Sequence, residues 1–282
     1  MDQSPIRAIF CTLVIAHLKQ QTANEALILP SRLRHILSLC YSALALSLPL
    51  QAHADEAART LDIVEYSASY QTHAMGLDIT AKRQLKQLDN NQYQLLNNSE
   101  VMFYSITEES RFQLNSDGQL KTNSYQQQRK GLGSNKSIEQ QWNWSAQSVI
   151  SRYKGRDYRY AITPQSLDKL NYQLALRRDA QRLGDNFGQQ RYTIADRKRL
   201  RDDFLIDYLG EEVITTPLGR FNAVKFERRK DDDENNIIWL AKDWHYMILK
   251  ISHCEQKQCE DILLSEAVVD GQQMTGLTAA KH

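Results

Sequence analysis

The sequence predicts a mainly β chain: a large curved antiparallel sheet, a half-barrel or open barrel, with one amphipathic helix packed on its concave face. Three observations carry this reading. Most of the chain beyond residue 60 alternates apolar and polar residues at period two, the mark of strands with one buried face. Short turn sequences join these segments, so neighbours run antiparallel, because parallel pairing needs long crossovers for which no pattern exists. Helical spacing occurs in one stretch, between Thr163 and Gly184.

Taken in order, "LDIVEYSASYQT" runs to a turn near Met75-Gly76, and "LDITAKRQLKQL" returns to Asp89-Asn90-Asn91. "QYQLLNNSEVMFYSI" follows, then "RFQLNSDGQLKTNSYQQQ", where Ser116-Asp117-Gly118 is a hairpin turn. After the polar "RKGLGSNKS" come the short strands "IEQQWNW", "SVISRY" and "RDYRYAI". The helix takes its start from Thr163-Pro164 and Ser166, with Asp168 in its first turn. Leu167, Leu170 and Leu174 make its apolar stripe, Arg177, Arg178 and Arg182 sit toward its C-terminal end, and Gly184 stops it. Arg177 and Arg178 could grip an anionic head group, but a dipole-matched surface explains them more cheaply. Strands resume at "QQRYTIAD". A hairpin turns at Pro217-Leu218-Gly219, and "NNIIWLAK", "HYMILKIS" and "EDILLSEAVV" complete the sheet. A sheet of ten or more strands curls, and one amphipathic helix is a natural plug for its hollow side.

The front of the chain reads as an export leader. Arg32 and Arg34 supply a positive end, Ile36 to Leu50 an apolar run, and Ala52-His53-Ala54 a small-x-small site, so cleavage is expected before Asp55. The apolar run is shorter than the about 20 residues a membrane helix needs. Residues 1–54 therefore form a leader, 31–54 the signal peptide and 1–30 a segment upstream of the expected start. Residues 55–270 form a single β-rich domain and 271–282 a flexible tail. The reading places the protein in the periplasm, with no transmembrane segment in the mature chain.

Losing 1–54 removes four of 35 basic and two of 34 acidic residues, leaving 31 against 32 and a net charge of −1. That balance offers no footprint for nucleic acid. Cys254 and Cys259 survive, and an even number of cysteines in an oxidising compartment reads as a disulfide, here tying off a hairpin. A metal site using His253 with the two cysteines lacks a fourth ligand at zinc spacing.

"DKLNYQLALRRD" (168–179), "YTIAD", "GEEVITTPLGRFNAVKFERR" and "IIWLAKDWHYMILKI" together resemble the periplasmic family called domain of unknown function 3108, over Leu61 to Val268. Tyr246-Met247-Ile248 departs from the family's Tyr-Leu-Pro pattern. The resemblance implies a bent antiparallel sheet similar to that of periplasmic lipoprotein carriers. It brings no catalytic residues, and lipid binding follows only by analogy of fold.

Candidate sites are few. Trp142 and Trp144 alternate on one strand, and Tyr158 and Tyr160 on another, either lining an apolar groove or packing the core. Trp239 and Trp244 fit a core role. Asp231-x-Asp233-x-Asn235 lacks the glycine and glutamate of a calcium loop, which leaves a solvated hairpin tip. "GLGS" lacks the pattern of a phosphate cradle, no Gly-x-Ser-x-Gly elbow occurs, and the histidines form no paired motif. No catalytic, cofactor-binding or metal-ligating residue is expected. The preferred reading is an exported protein that binds an apolar or amphipathic cell-envelope partner, such as a lipid, without catalysis. A scaffold contacting other envelope proteins and an envelope-polymer hydrolase are the alternatives.

Overall fold

A computed structural model describes residues 63–277, except 75–76, 90, 132–134, 230–233 and 256–257. The expected leader (1–54), the calcium-like spacing at Asp231 and Asp233, and the last five residues of the expected tail lie outside the described residues.

Eight strands climb and descend as a meander: β1 (Tyr66–Ala74), β2 (Leu77–Gln87), β3 (Gln92–Val101), β4 (Tyr104–Leu114), β5 (Leu120–Lys130), β6 (Lys136–Asn143), β7 (Ser148–Tyr153) and β8 (Arg156–Ala161). A two-residue strand, β9 (Ser166–Leu167), leads into α1 (Tyr172–Leu183) and a 3₁₀ turn (Gly184–Asn186). The second half is β10 (Gln189–Ala195), β11 (Leu200–Thr216), β12 (Gly219–Arg229), β13 (Glu234–Ala241), β14 (Met247–Glu255), β15 (Gln258–Val269) and β16 (Gln272–Gln273). All belong to one sheet. β1 joins the halves by pairing with both β2 and β15, and β8 and β9 stand at the two ends. Pairing is antiparallel except for the short β9–β10 bridge.

The curvature has local causes. Register shifts interrupt the ladders at Ser69/Tyr70, Arg111/Phe112, Tyr192/Ile194, Tyr208/Gly210 and Trp239/Leu240. Each extra residue bends its strand and sharpens the twist. The sheet curls far enough to bring its ends together but does not close. Side chains span the seam instead. Gln140 Nε2 donates to Asp196 O at 3.1 Å, Ser151 Oγ to Arg197 O at 2.9 Å, and the Tyr160 hydroxyl to Asp196 O.

The concave side is filled by α1, which buries Tyr172, Leu174, Ala175, Leu176, Arg177, Asp179 and Ala180. Tyr172, Leu174, Ala175, Leu176 and Ala180 pack with Leu85, Leu95, Phe112, Tyr125, Phe226 and Leu249 in one core. The helix begins later than its sequence signals suggest. Ser166 pairs in β9, the Thr163 amide donates to Ser166 Oγ at 2.8 Å, and the helix proper opens at Tyr172. The start signals thus build a turn that delivers the chain into the bowl. The far end also differs from expectation. Residues expected to fray from Gly271 instead pair as β16, fully bury Met274, and bond the Leu277 amide to Arg220 O at 2.7 Å. Gly276 seats this strap: a Cβ there would stand 2.8 Å from backbone atoms of Arg220.

Candidate functional site

The interior is more polar than a β-sheet core needs to be. Asp168, fully buried, anchors the entry to α1. Its Oδ1 accepts the Leu170 and Asn171 amides at 2.7 and 2.8 Å, and its Oδ2 accepts Ser110 Oγ at 2.6 Å and Thr122 Oγ1 at 3.2 Å. Asn171 Nδ2 donates to the same Thr122 hydroxyl at 2.8 Å. Burial outweighs these donors and raises the Asp168 carboxyl to about 6. Beside it, Lys169 pairs with Asp196, and burial lowers its ammonium to about 8. The pair ties the helix entry to the seam.

A second polar layer crosses four strands. Arg83, Asn97, Glu108 and Gln127 face one another in direct register on β2 to β5, and all are buried. Glu108 accepts Gln127 Nε2 at 2.7 Å, the Tyr125 hydroxyl at 2.8 Å and Asn97 Nδ2 at 3.3 Å. Arg83, 4% exposed, has no hydrogen-bond partner for its Nε. Arg177 arrives from α1, 7% exposed. Its Nε and Nη2 donate to His245 O at 3.2 and 2.8 Å, and its guanidinium carbon lies 5.2 Å from the Tyr66 ring centre. The expectation that Arg177 matches the helix dipole at the surface is therefore corrected, because the bowl covers the helix on nearly every side. Sequence reading missed Arg83. The available signal was its phase: it follows Ile79 and Ala81 and precedes Leu85 on the buried side of β2.

Trp142, Trp144 and Tyr160 gather at the seam. Trp142 packs with Val149, Ile162 and Ala195, and Trp144, Tyr160 and Leu200 lie against this cluster. The two tryptophan rings stack at 5.5 Å, and Trp144 Nε1 donates to Thr122 O at 2.8 Å. Tyr158 stands apart, half-buried against the main core with Lys198 over its ring. Trp239 is buried too, its Nε1 donating to Glu212 Oε1 at 2.6 Å between Lys225 and Lys250. Cys254 and Cys259 are bonded partners across β14 and β15.

Outside, an open groove of about 610 Å³ runs across β1, β2, β3 and β15, with Ser67, Ser69, Lys82, Gln84, Asn98 and Glu266 on its walls. Large apolar side chains stand in solvent at the β3–β4 turn, where Met102 is 76% and Phe103 67% exposed. Gly131 lies beneath Tyr104 beside this turn, and a Cβ there would overlap the ring. That packing, rather than phosphate binding, explains the glycine.

The model of the family described as "Protein of unknown function (DUF3108)" matches residues 65–255. The chain belongs to this family. No curated protein matches the DUF3108 chain. Among solved structures it is similar to a β-barrel-like protein of domain of unknown function DUF1849 from Brucella abortus, at 8% identity and a TM-score of 0.48, over 73% of this chain and 98% of that one. It is also similar to a candidate lipoprotein from Parabacteroides distasonis, at 10% identity and a TM-score of 0.26, over 73% and 94% of the two chains. A candidate outer membrane lipoprotein-sorting protein domain from Vibrio parahaemolyticus matches at 11% identity and a TM-score of 0.20, over 76% and 87%. Among the described residues of the DUF3108 chain, no helix is long and apolar enough to cross a membrane, and no three His, Cys, Asp or Glu side chains converge as a metal site.

Proposed function

We propose that this DUF3108 protein is exported to the periplasm, loses its leader before Asp55, and works without catalysis by holding an apolar or amphipathic partner of the cell envelope. The observation that carries the reading is the exposed Met102-Phe103 turn on a body whose concave side is already occupied by α1. Burying each of these side chains against a partner releases about 1.5–3 kcal/mol. Met102 also holds a left-handed backbone, φ +49°, where glycine or asparagine would sit more easily. A large apolar residue kept at a strained, solvated tip favours contact over stability.

The test is a photo-crosslinking residue placed at Phe103 in the exported protein, with native mass spectrometry of the protein purified from periplasm. A lipid adduct, or a retained lipid mass removed by Met102→Asn with Phe103→Ser, is the expected result. An unliganded mass, no uptake from an envelope lipid extract and no crosslink would overturn the proposal. A protein crosslink without lipid would favour the scaffold reading, which the filled bowl also suits. N-terminal sequencing of the exported form should begin at Asp55, and retention of residues 1–54 would remove the periplasmic assignment.

A further inference from the structure

Two guanidinium groups inside the bowl lack a counter-charge. Arg83 comes from β2 and Arg177 from α1, and neither forms an ion pair with a carboxylate among the described residues. Neighbouring interior acids are committed elsewhere. Glu108 serves Gln127, Tyr125 and Asn97; Asp168 serves Ser110, Thr122 and two backbone amides; Asp179 serves Tyr192, Arg178 and Arg182. Arg177 finds a carbonyl oxygen and a ring face, both neutral. Burial, with Arg83 adding to it, holds the Arg177 guanidinium below the ordinary arginine value. A buried charge without a partner costs several kcal/mol. The surrounding residues are small: Ala68 lies beside Arg83 across β1, Ala81 precedes it on the same face, and Ala267 faces Ala68 from β15.

We propose that Arg83 and Arg177 form a buried receptor for an oxyanion head group, a carboxylate or a phosphate. Guanidinium groups hold such anions through paired N–H donors, and two of them from different elements can grip one anion between sheet and helix. The inference deepens the envelope-partner reading by giving the amphipathic partner a charged end. It rests on that reading only for the apolar tail, because the receptor itself needs nothing from the Met102-Phe103 turn.

Thermal unfolding of the mature chain tests it, at matched ionic strength, with sodium chloride as control and inorganic phosphate, acetate and submicellar decanoate as probes. A saturable rise in melting temperature with at least one probe is expected. A rise with phosphate or acetate assigns a free anion, and a rise with decanoate alone assigns a lipid carboxylate. Arg83→Met should melt no lower than the parent without ligand, because it removes an uncompensated charge, and should lose the response. Arg83→Lys and Arg177→Lys should weaken the response at least tenfold, and they decide the matter should Arg83→Met not fold. No rise with any probe, or an undiminished response in the lysine variants, overturns the receptor. Phe103 crosslinking in a parent chain that shows no anion response would sink this inference alone, and an anion response in a parent chain that gives no Phe103 crosslink would sink the turn reading alone.

Discussion

Asp168 illustrates how one side chain can set a fold and a pH dependence together. Its ordinary carboxyl value of 3.8 rises to about 6 on folding. The native chain therefore takes up a proton between pH 6 and pH 4 that the unfolded chain does not. Because the folded state binds more protons in that window, this group's contribution grows as pH falls. The gap corresponds to about 3 kcal/mol. Asp168→Asn keeps one acceptor for the two amides and can donate to the Ser110 or Thr122 hydroxyl. Urea unfolding at pH 7 and pH 4 should show the parent gaining roughly 2 kcal/mol on this variant at the acid end, because the unfolded carboxyl is already partly protonated at pH 4; an unchanged difference would refute the shift. Gly276 offers a steric counterpart. Gly276→Ala would drive its Cβ into the backbone of Arg220, and a loss of about 1–3 kcal/mol is expected by the same measurement.

At the scale of the element, the strands were legible because one buried face imposes period two. The β6, β7 and β8 segments and the Pro217-Leu218 turn fall where the alternation puts them. The helix was legible as a helix but not in its surroundings. Its expected stripe of Leu167, Leu170 and Leu174 assumes one buried face, but Leu167 lies in β9, Leu170 precedes α1, and the helix inside the bowl buries Arg177 and Asp179 as well. Local propensity carries no record of that enclosure. Arg83 was hidden for the opposite reason, since an arginine in a strand reads as solvated until its phase is compared with Ile79 and Leu85. Anchors such as Asp168 join residues 46 and 58 positions apart, a distance that turn and cap patterns do not span. The β14–β15 hairpin, by contrast, was announced by its cysteines. For so short a loop the bond contributes roughly 2 kcal/mol. Cys254→Ser with Cys259→Ser should therefore lower stability by about that amount while leaving the fold intact by circular dichroism. Collapse of the whole domain in this variant would show that the bond does more than restrain a hairpin.

For the molecule as a whole, the seam is the line along which it should open. β1 to β5 and β11 to β15 are paired on both sides by full backbone ladders, while β8 and β9 end the sheet. What joins these ends is a set of side chains, Tyr160 and Gln140 reaching Asp196 O and Ser151 reaching Arg197 O, while Lys169 holds Asp196 in place from the β9 side. Each neutral bond of this kind contributes about 0.5–1.5 kcal/mol, less than a ladder of many backbone bonds acting together. Opening the seam would also free the entry to α1, because Lys169 and Asp168 adjoin it, and would expose the bowl that the helix fills. Native-state hydrogen exchange should find amides of β6, β7, β8 and β10 opening at lower free energy than those of β2, β3, β12 and β13. Lys169→Met should lower protection across the seam strands first, with the central ladders following only the global unfolding free energy. Equal protection on both sides of the sheet, or an equal loss everywhere in the variant, would mean that the sheet behaves as one closed unit. It would leave no low-energy route for a partner to reach Arg83 and Arg177 from this side.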